Sequence, residues 1–240
     1  MTRFPIAQAI ILAAGRGERL RPLTDRLPKP LITVGGITLI DHHLHALRRA
    51  GIHDCVINVA HLGSLIEAHV GNGVRYGLNV RFSREPVGAL ETGGGIRQAL
   101  ALLTPAPFLA VNADIYTDFN FRNLALAPQS LAHLILVENP EHNRSGDFTL
   151  CGERIGNDPV ARFTFSGIAL YTPELFNLAP STARFPLAPL LREAADFGRV
   201  TGALHPGRWF DIGTSARLAR ARRLAPSKDL SRHAITKTID

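Results

Sequence analysis

Two short stretches carry residue types suited to phosphate chemistry. The first is Gly15-Arg16-Gly17-Glu18-Arg19-Leu20-Arg21-Pro22-Leu23-Thr24, followed by Pro28-Lys29-Pro30-Leu31. Gly15 and Gly17 let backbone N–H groups approach a ligand closely, and Arg19 and Lys29 add the positive charge that a polyphosphate attracts. The second is Asp114, which follows the apolar run Phe108-Leu109-Ala110-Val111. An aspartate there stands at the carboxyl end of a buried strand, where open α/β sheets bind ligands. A turn or helix-cap carboxylate is the competing reading for Asp114, and an ordinary surface loop is the competing reading for the glycine pair.

Other phosphate loops fit less well. A dinucleotide fingerprint needs a third glycine where Leu20 stands, and an acid after the second strand where the chain reads Val59-Ala60-His61. The GxxxxGK[ST] phosphate loop is absent from the sequence. Hydride transfer and P-loop hydrolysis therefore lose weight.

The elements that must hold these residues follow from hydrophobic patterning. Residues 6–14 form a continuous apolar run ending at Gly15, as a buried parallel strand does, and 54–60, 78–82 and 107–111 repeat the pattern. Helical spacing runs from Leu39 to Ala50 and stops at Gly51, and 62–70 and 93–103 also read as helices. Alternating strands and helices predict an α/β fold: one Rossmann-like domain with a mostly parallel mixed sheet flanked by helices. In the second half, 132–138 and 162–171 read as strands, and 187–196 and 214–224 as helices. The expected organisation is a catalytic domain over 1–225, with a nucleotide half at about 6–115, a sugar half at about 116–225, and a flexible basic tail over 226–240.

Composition narrows the classes. The chain has 240 residues, 45% of them hydrophobic, with a net charge of +7, so whole-chain disorder is excluded. Residues 199–240 hold nine Lys or Arg against three acids, which leaves the body nearly neutral and weakens a nucleic-acid reading. No apolar stretch reaches the roughly 20 residues of a membrane helix, and a cytoplasmic protein without a membrane partner is expected. Cys55 and Cys151 read as buried thiols. His42, His43 and His45 read as helix-surface residues without a zinc motif, and Trp209 reads as a packing residue.

Leu12-Ala13-Ala14-Gly15-x-Gly17-x-Arg19-Leu20-x-Pro22-Leu23-Thr24 with Pro28-Lys29-Pro30-Leu31 resembles the signature of the sugar-1-phosphate nucleotidylyltransferases. Leu90-Glu91-Thr92-Gly93-Gly94-Gly95, Phe165-Ser166-Gly167-Ile168 and Trp209-Phe210-Asp211-Ile212-Gly213-Thr214 extend the likeness over about residues 6–224. Within the family they point to the uridylyltransferases of cell-wall recycling that act on N-acetylmuramic acid α-1-phosphate.

The resemblance implies UTP and an amino-sugar 1-phosphate as substrates, with Mg²⁺ held by Asp114 and Asp211. Arg19 and Lys29 would be the catalytic cations. Leu12, Ala13, Ala14, Gly15, Gly17, Glu18, Arg19, Lys29, Gly93 and Asn112 would bind the nucleotide, the glycine run letting a base or ribose approach the backbone. Gly146, Asp147 and Ser166 would line the sugar pocket. Three departures stand out: Ala113 replaces the family glycine before the metal aspartate, the Glu85–Ala89 segment differs, and a Glu-Lys-Pro motif common on the sugar side is missing. Mannose-1-phosphate guanylyl transfer, glucose-1-phosphate thymidylyl or uridylyl transfer, and a non-catalytic sugar-nucleotide-binding regulator remain as alternatives.

Overall fold

The computed structural model describes residues 6–86 and 90–225, so the expected tail over 226–240 lies outside the described residues. Gln8–Leu12 forms β1, and Ala9, Ile10 and Ile11 are wholly buried because the strand is covered on both faces. Ala9 and Ile11 face one hydrophobic core and Ile10 faces another, as the two-residue repeat of a strand requires. Each such isoleucine contributes about 1.5–3 kcal/mol by leaving water.

After β1 come the two-residue strands β2 (Thr33–Val34) and β3 (Ile37–Thr38), helix α1 (Leu39–Arg49), β4 (Asp54–Val59), α2 (Gly63–Val70), β5 (Asn79–Arg84) and α3 (Glu91–Ala99). Then β6 (Phe108–Asn112), β7 (Ile115–Thr117), β8 (Ala132–Val137), β9 (Phe148–Cys151), β10 (Arg154–Gly156) and β11 (Arg162–Tyr171) lead to α4 (Leu187–Asp196), β12 (Val200–Leu204), β13 (Trp209–Asp211) and α5 (Ser215–Leu224). The main sheet runs β5-β4-β1-β6-β11-β8-β12-β10-β9. Its first four strands are parallel, whereas β11 lies antiparallel to both β6 and β8. The parallel character is thus concentrated in the first half, and the second half is largely antiparallel, with β9 also pairing with the start of β11.

Leucines and isoleucines of α1 and α2 fill one core, while α3 and α4 fill the other. Thr38 caps α1 by accepting the Asp41 N–H at 3.2 Å, and Gly51 ends it with φ +83, the left-handed conformation that glycine adopts at no steric cost. Helix α5 is capped by Thr214, whose hydroxyl accepts the Arg217 N–H, and packs through Leu218 and Ala221 on Leu20, Ile32 and Ile212. This third core presses the last helix against the first loop.

Three sequence expectations change. Cys55 is buried, but Cys151 is exposed at the end of an edge strand. His43 is buried against the sheet rather than on the helix surface, because α1 turns it inward with Leu44 and Leu47. The helix expected over 93–103 begins at Glu91 and gives way to a tighter turn at Leu100–Leu102.

Candidate active site

The strand register sets the site. Leu12 pairs with Asn58 of β4 on one side and with Asn112 of β6 on the other, so these three residues stand in a row at the carboxyl ends of adjacent parallel strands. The chain leaves β1 for β4 and β5, then returns to place β6 on the opposite side, which opens a crevice above β1. A cleft of about 410 Å³ lies there, lined by Leu12, Ala13, Ala14, Gly15, Arg16, Glu18, Lys29, Asn58, Glu85, Leu90, Glu91, Thr92, Asn112, Ala113 and Asp114, among others.

Of the residues the sequence puts on the nucleotide, Leu12, Ala13, Ala14, Gly15, Glu18, Lys29 and Asn112 line this cleft. Gly17 does not: with φ +72 it makes the turn, and its carbonyl accepts the Thr24 hydroxyl at 2.9 Å. Arg19 is exposed outside the lining, with its guanidinium close to Gly213. Gly93 is turned away, since a Cβ there would lie 2.4 Å from the Phe185 ring, and Gly94 meets the Ala183 carbonyl in the same way. Gly93 and Gly94 therefore seat α3 against the 183–187 segment, Gly95 lets it approach the Asn58–Glu85 pair, where a Cβ would lie 2.4 Å from Glu85 Oε1, and Leu90, Glu91 and Thr92 supply the second wall of the cleft.

Lys29 donates to Asp114 Oδ2 inside the site, their side chains 13% and 30% exposed. Asp211 is brought beside Asp114 by the ribbon of β13 and β7, in which Asp211 pairs with Ile115 and the Ile212 N–H donates to the Asp114 carbonyl at 2.8 Å. Arg217 donates to Asp211 Oδ2, and His142 Nε2 lies 3.2 Å from its Oδ1. Two carboxylates on adjoining backbone suit a hard divalent cation that completes its shell with phosphate oxygens and water. No group of three or more His, Cys, Asp or Glu side chains gathers for a metal among the described residues. Ala113 has no positive φ, and its N–H donates to the Leu12 carbonyl at 2.9 Å, so the methyl group sits in ordinary backbone.

Sequence reading missed Asn58, Glu85, Arg16 and His61. Asn58 Oδ1 accepts the Ala13 N–H and its Nδ2 donates to Glu85 Oε1, both at 2.6 Å, which ties the first loop to the end of β5. Burial pushes the Glu85 carboxyl above its usual pKa, and the Asn58 hydrogen bond opposes that rise. A lone amide within the apolar strand Cys55-Val56-Ile57-Asn58-Val59 was the available signal. Arg16 contacts His61 at 2.6 Å and pairs with Glu18 and Asp25, holding the rim of the loop.

The model of the family described as nucleotidyl transferase matches residues 8–227. The chain belongs to the nucleotidyl transferase family. This nucleotidyl transferase is 48% identical over 226 residues to the N-acetylmuramate alpha-1-phosphate uridylyltransferase of Neisseria meningitidis serogroup B, covering 91% of this chain and 98% of that relative. It is 35% identical over 234 residues to the protein of the same description from Caulobacter vibrioides, covering 90% and 96%. Among solved structures, the inositol-1-phosphate CTP transferase from T. maritima superposes with a TM-score of 0.75 at 17% identity, covering 94% of this chain and 97% of that one, a likeness of fold.

On the sugar side the hydroxyl of Ser166 is committed to the fold. It is buried and donates to the Ile135 carbonyl at 2.6 Å, at the irregularity between Phe165 and Ile168. Asp147 Oδ2 accepts from Asn143 Nδ2 and the Phe165 N–H, so that oxygen shapes its loop, and Gly146 takes φ +62 hard against the Arg162 backbone. What is presented toward Asp211 from this half is His142, while the Trp209 indole N–H donates to the Ser166 carbonyl at 2.9 Å.

Proposed function

We propose that the chain transfers the uridylyl group of UTP to N-acetylmuramic acid α-1-phosphate, giving UDP-N-acetylmuramic acid and pyrophosphate. The observation that carries the reaction class is the gathering of Lys29, Asp114 and Asp211 at the mouth of the Gly15–Gly17 loop. The substrates are those named by the description of the Neisseria relative, which this chain matches over almost its full length.

An oxygen of the sugar phosphate attacks the α-phosphorus of UTP, a new P–O bond forms, and the bond to the β-phosphate oxygen breaks in line with it. The attacking oxygen is already ionised at neutral pH and needs no base. The first loop supports the triphosphate with backbone N–H groups, Lys29 neutralises charge at the reacting phosphates, and Arg19 stands beside the loop for the departing pyrophosphate. Mg²⁺ on Asp114 and Asp211 would supply charge neutralisation across the phosphate oxygens. Asn58 and Glu85 offer a donor and acceptors on the wall where a base would lie. The sugar belongs to the cell wall and UTP is a cytoplasmic metabolite, so the reading places the enzyme in the cytoplasm, in recovery of cell-wall sugar.

The test is pyrophosphate release over four nucleoside triphosphates and several sugar 1-phosphates. Turnover concentrated on UTP with N-acetylmuramic acid α-1-phosphate is expected. Turnover only with GTP and mannose 1-phosphate replaces the substrates, and none with any pair refutes the enzyme reading.

A further inference from the structure

Nucleotidyl transfer brings two anions into one cleft, and each needs its own cations. Lys29 is the only lysine before residue 228, and it is engaged with Asp114. Arg16 is engaged with Glu18, Asp25 and His61. Two further arginines converge on Gly213. A Cβ on that glycine would lie 1.9 Å from Arg217 Nη2 and 3.0 Å from Arg19 Nη2, so the missing side chain makes room for two guanidinium groups. Arg217 Nη1 is also 2.7 Å from His142 Nε2. The Arg19 side chain makes no hydrogen bond or ion pair among the described residues, while Arg217 and His142 share the single carboxylate of Asp211. The Arg19 and Arg217 guanidinium groups are like charges, which repel at close approach unless an anion joins them.

We propose that Arg217 and His142 form the subsite for the phosphate of the acceptor, a dianionic phosphomonoester on a sugar; this rests on the transfer reaction described above. Arg217 comes from the first turn of α5 and His142 from the segment after β8, so both meet Asp211 from the acceptor half, whereas Lys29 and Gly15 line the cleft from the nucleotide half. The planar guanidinium suits bidentate contact with phosphate. On arrival of the acceptor, Arg217 exchanges Asp211 for the phosphate and leaves the Asp211 carboxylate open. Arg19 borders the subsite on the triphosphate side.

The experiment uses the full chain and its single tryptophan, Trp209, two residues from Asp211, as a fluorescent reporter. Wild type, Arg217→Gln, Arg217→Lys and His142→Asn are titrated with N-acetylmuramic acid α-1-phosphate, glucose 1-phosphate, inorganic phosphate, unphosphorylated N-acetylmuramic acid, UTP and pyrophosphate. The sugar-phosphate titrations are run with and without α,β-methylene-UTP. Arg217→Gln is expected to weaken sugar-phosphate binding by about tenfold or more, as the loss of a charged hydrogen bond does, while UTP stays within about threefold. Arg217→Lys should recover part of the loss, and binding of the unphosphorylated sugar should not respond. Unchanged sugar-phosphate affinity, or a loss falling equally on UTP and pyrophosphate, overturns the proposal. Should Arg217→Gln unfold the protein, His142→Asn carries the same test, because His142 is exposed and its removal disturbs no core. An inactive chain that still binds phosphate through Arg217 refutes the transfer reaction and keeps the subsite.

Discussion

Lys29 ion-pairs with Asp114 across 85 residues of sequence, joining the end of the first loop to the carboxylate that follows β6. Both side chains are partly exposed, so the pair contributes about 1 kcal/mol or less to stability. Its weight falls on the reaction. Lys29→Met and Asp114→Asn are each expected to cut turnover about hundred- to thousandfold, in the range of removing one preorganised charge contact. Thermal unfolding should shift by only a few degrees. Steady-state pyrophosphate release, measured beside a melting curve, checks both; undiminished turnover would detach the residue from the reacting phosphates.

Asn58 holds the loop from below. Its side chain is 4% exposed, accepts from Ala13 and donates to Glu85. Asn58→Ala leaves the Ala13 N–H buried and unpaired, a cost of about 1–3 kcal/mol, and loosens the wall of the cleft. The expected result is a lower melting temperature together with a raised KM for UTP. Asn58→Asp keeps the acceptor for Ala13 but sets a second carboxylate against Glu85, whose pKa burial has already raised. That variant should lag wild type most at pH 7 and recover toward pH 5, where a shared proton relieves the repulsion. A deficit that does not change with pH counts against this arrangement.

The first strand, the parallel half of the sheet and the placing of Asp114 were legible because long apolar runs and a glycine turn leave a pattern of their own. The meeting of Asp114 with Asp211 was implied by the family resemblance alone and not by any pattern in the residues. It depends on Ile115–Thr117 pairing with Trp209–Asp211, three residues against three, too short for any periodicity and nearly a hundred residues apart. The glycine run at 93–95 carried two physical readings, ligand approach or close packing, and only the positions of Phe185 and Ala183 for the first two glycines, and of Glu85 and Asn58 for the third, decide between them. Ser166 looked available because sequence does not show that the Ile135 carbonyl takes its hydroxyl proton.

Those glycines offer a contrast between packing and binding. A Cβ at Gly94 would stand 2.2 Å from the Ala183 carbonyl oxygen, which is backbone and cannot swing aside. Gly94→Ala is therefore expected to destabilise the protein by about 1–3 kcal/mol, seen as a lower denaturation midpoint. Gly15 has nothing within 4 Å of such a Cβ and lies outside the left-handed region. Gly15→Ala should unfold like wild type yet bind UTP about tenfold or more weakly, since the methyl group would occupy the floor of the cleft. Equal UTP affinity would show that the triphosphate keeps clear of Gly15.

His43 gives the fold an acid sensitivity of calculable sign. It is 2% exposed, and its Nε2 has no hydrogen-bond partner among the described residues. Burial pulls its pKa down to about 4, helped by the charge of His42 and opposed by its hydrogen bond to the Ile115 backbone and by Asp114. An unfolded histidine titrates near 6.5. Between those values the unfolded chain takes up a proton that the folded chain refuses, so stability falls as the pH drops from about 6.5 to about 4, by about 1.4 kcal/mol per unit. From pH 7 to pH 5 this group alone should cost about 2 kcal/mol. His43→Leu removes the proton uptake, and its unfolding free energy in urea should fall by that much less than wild type over the same interval. Parallel slopes for the two proteins would mean that His43 is not held neutral in the core.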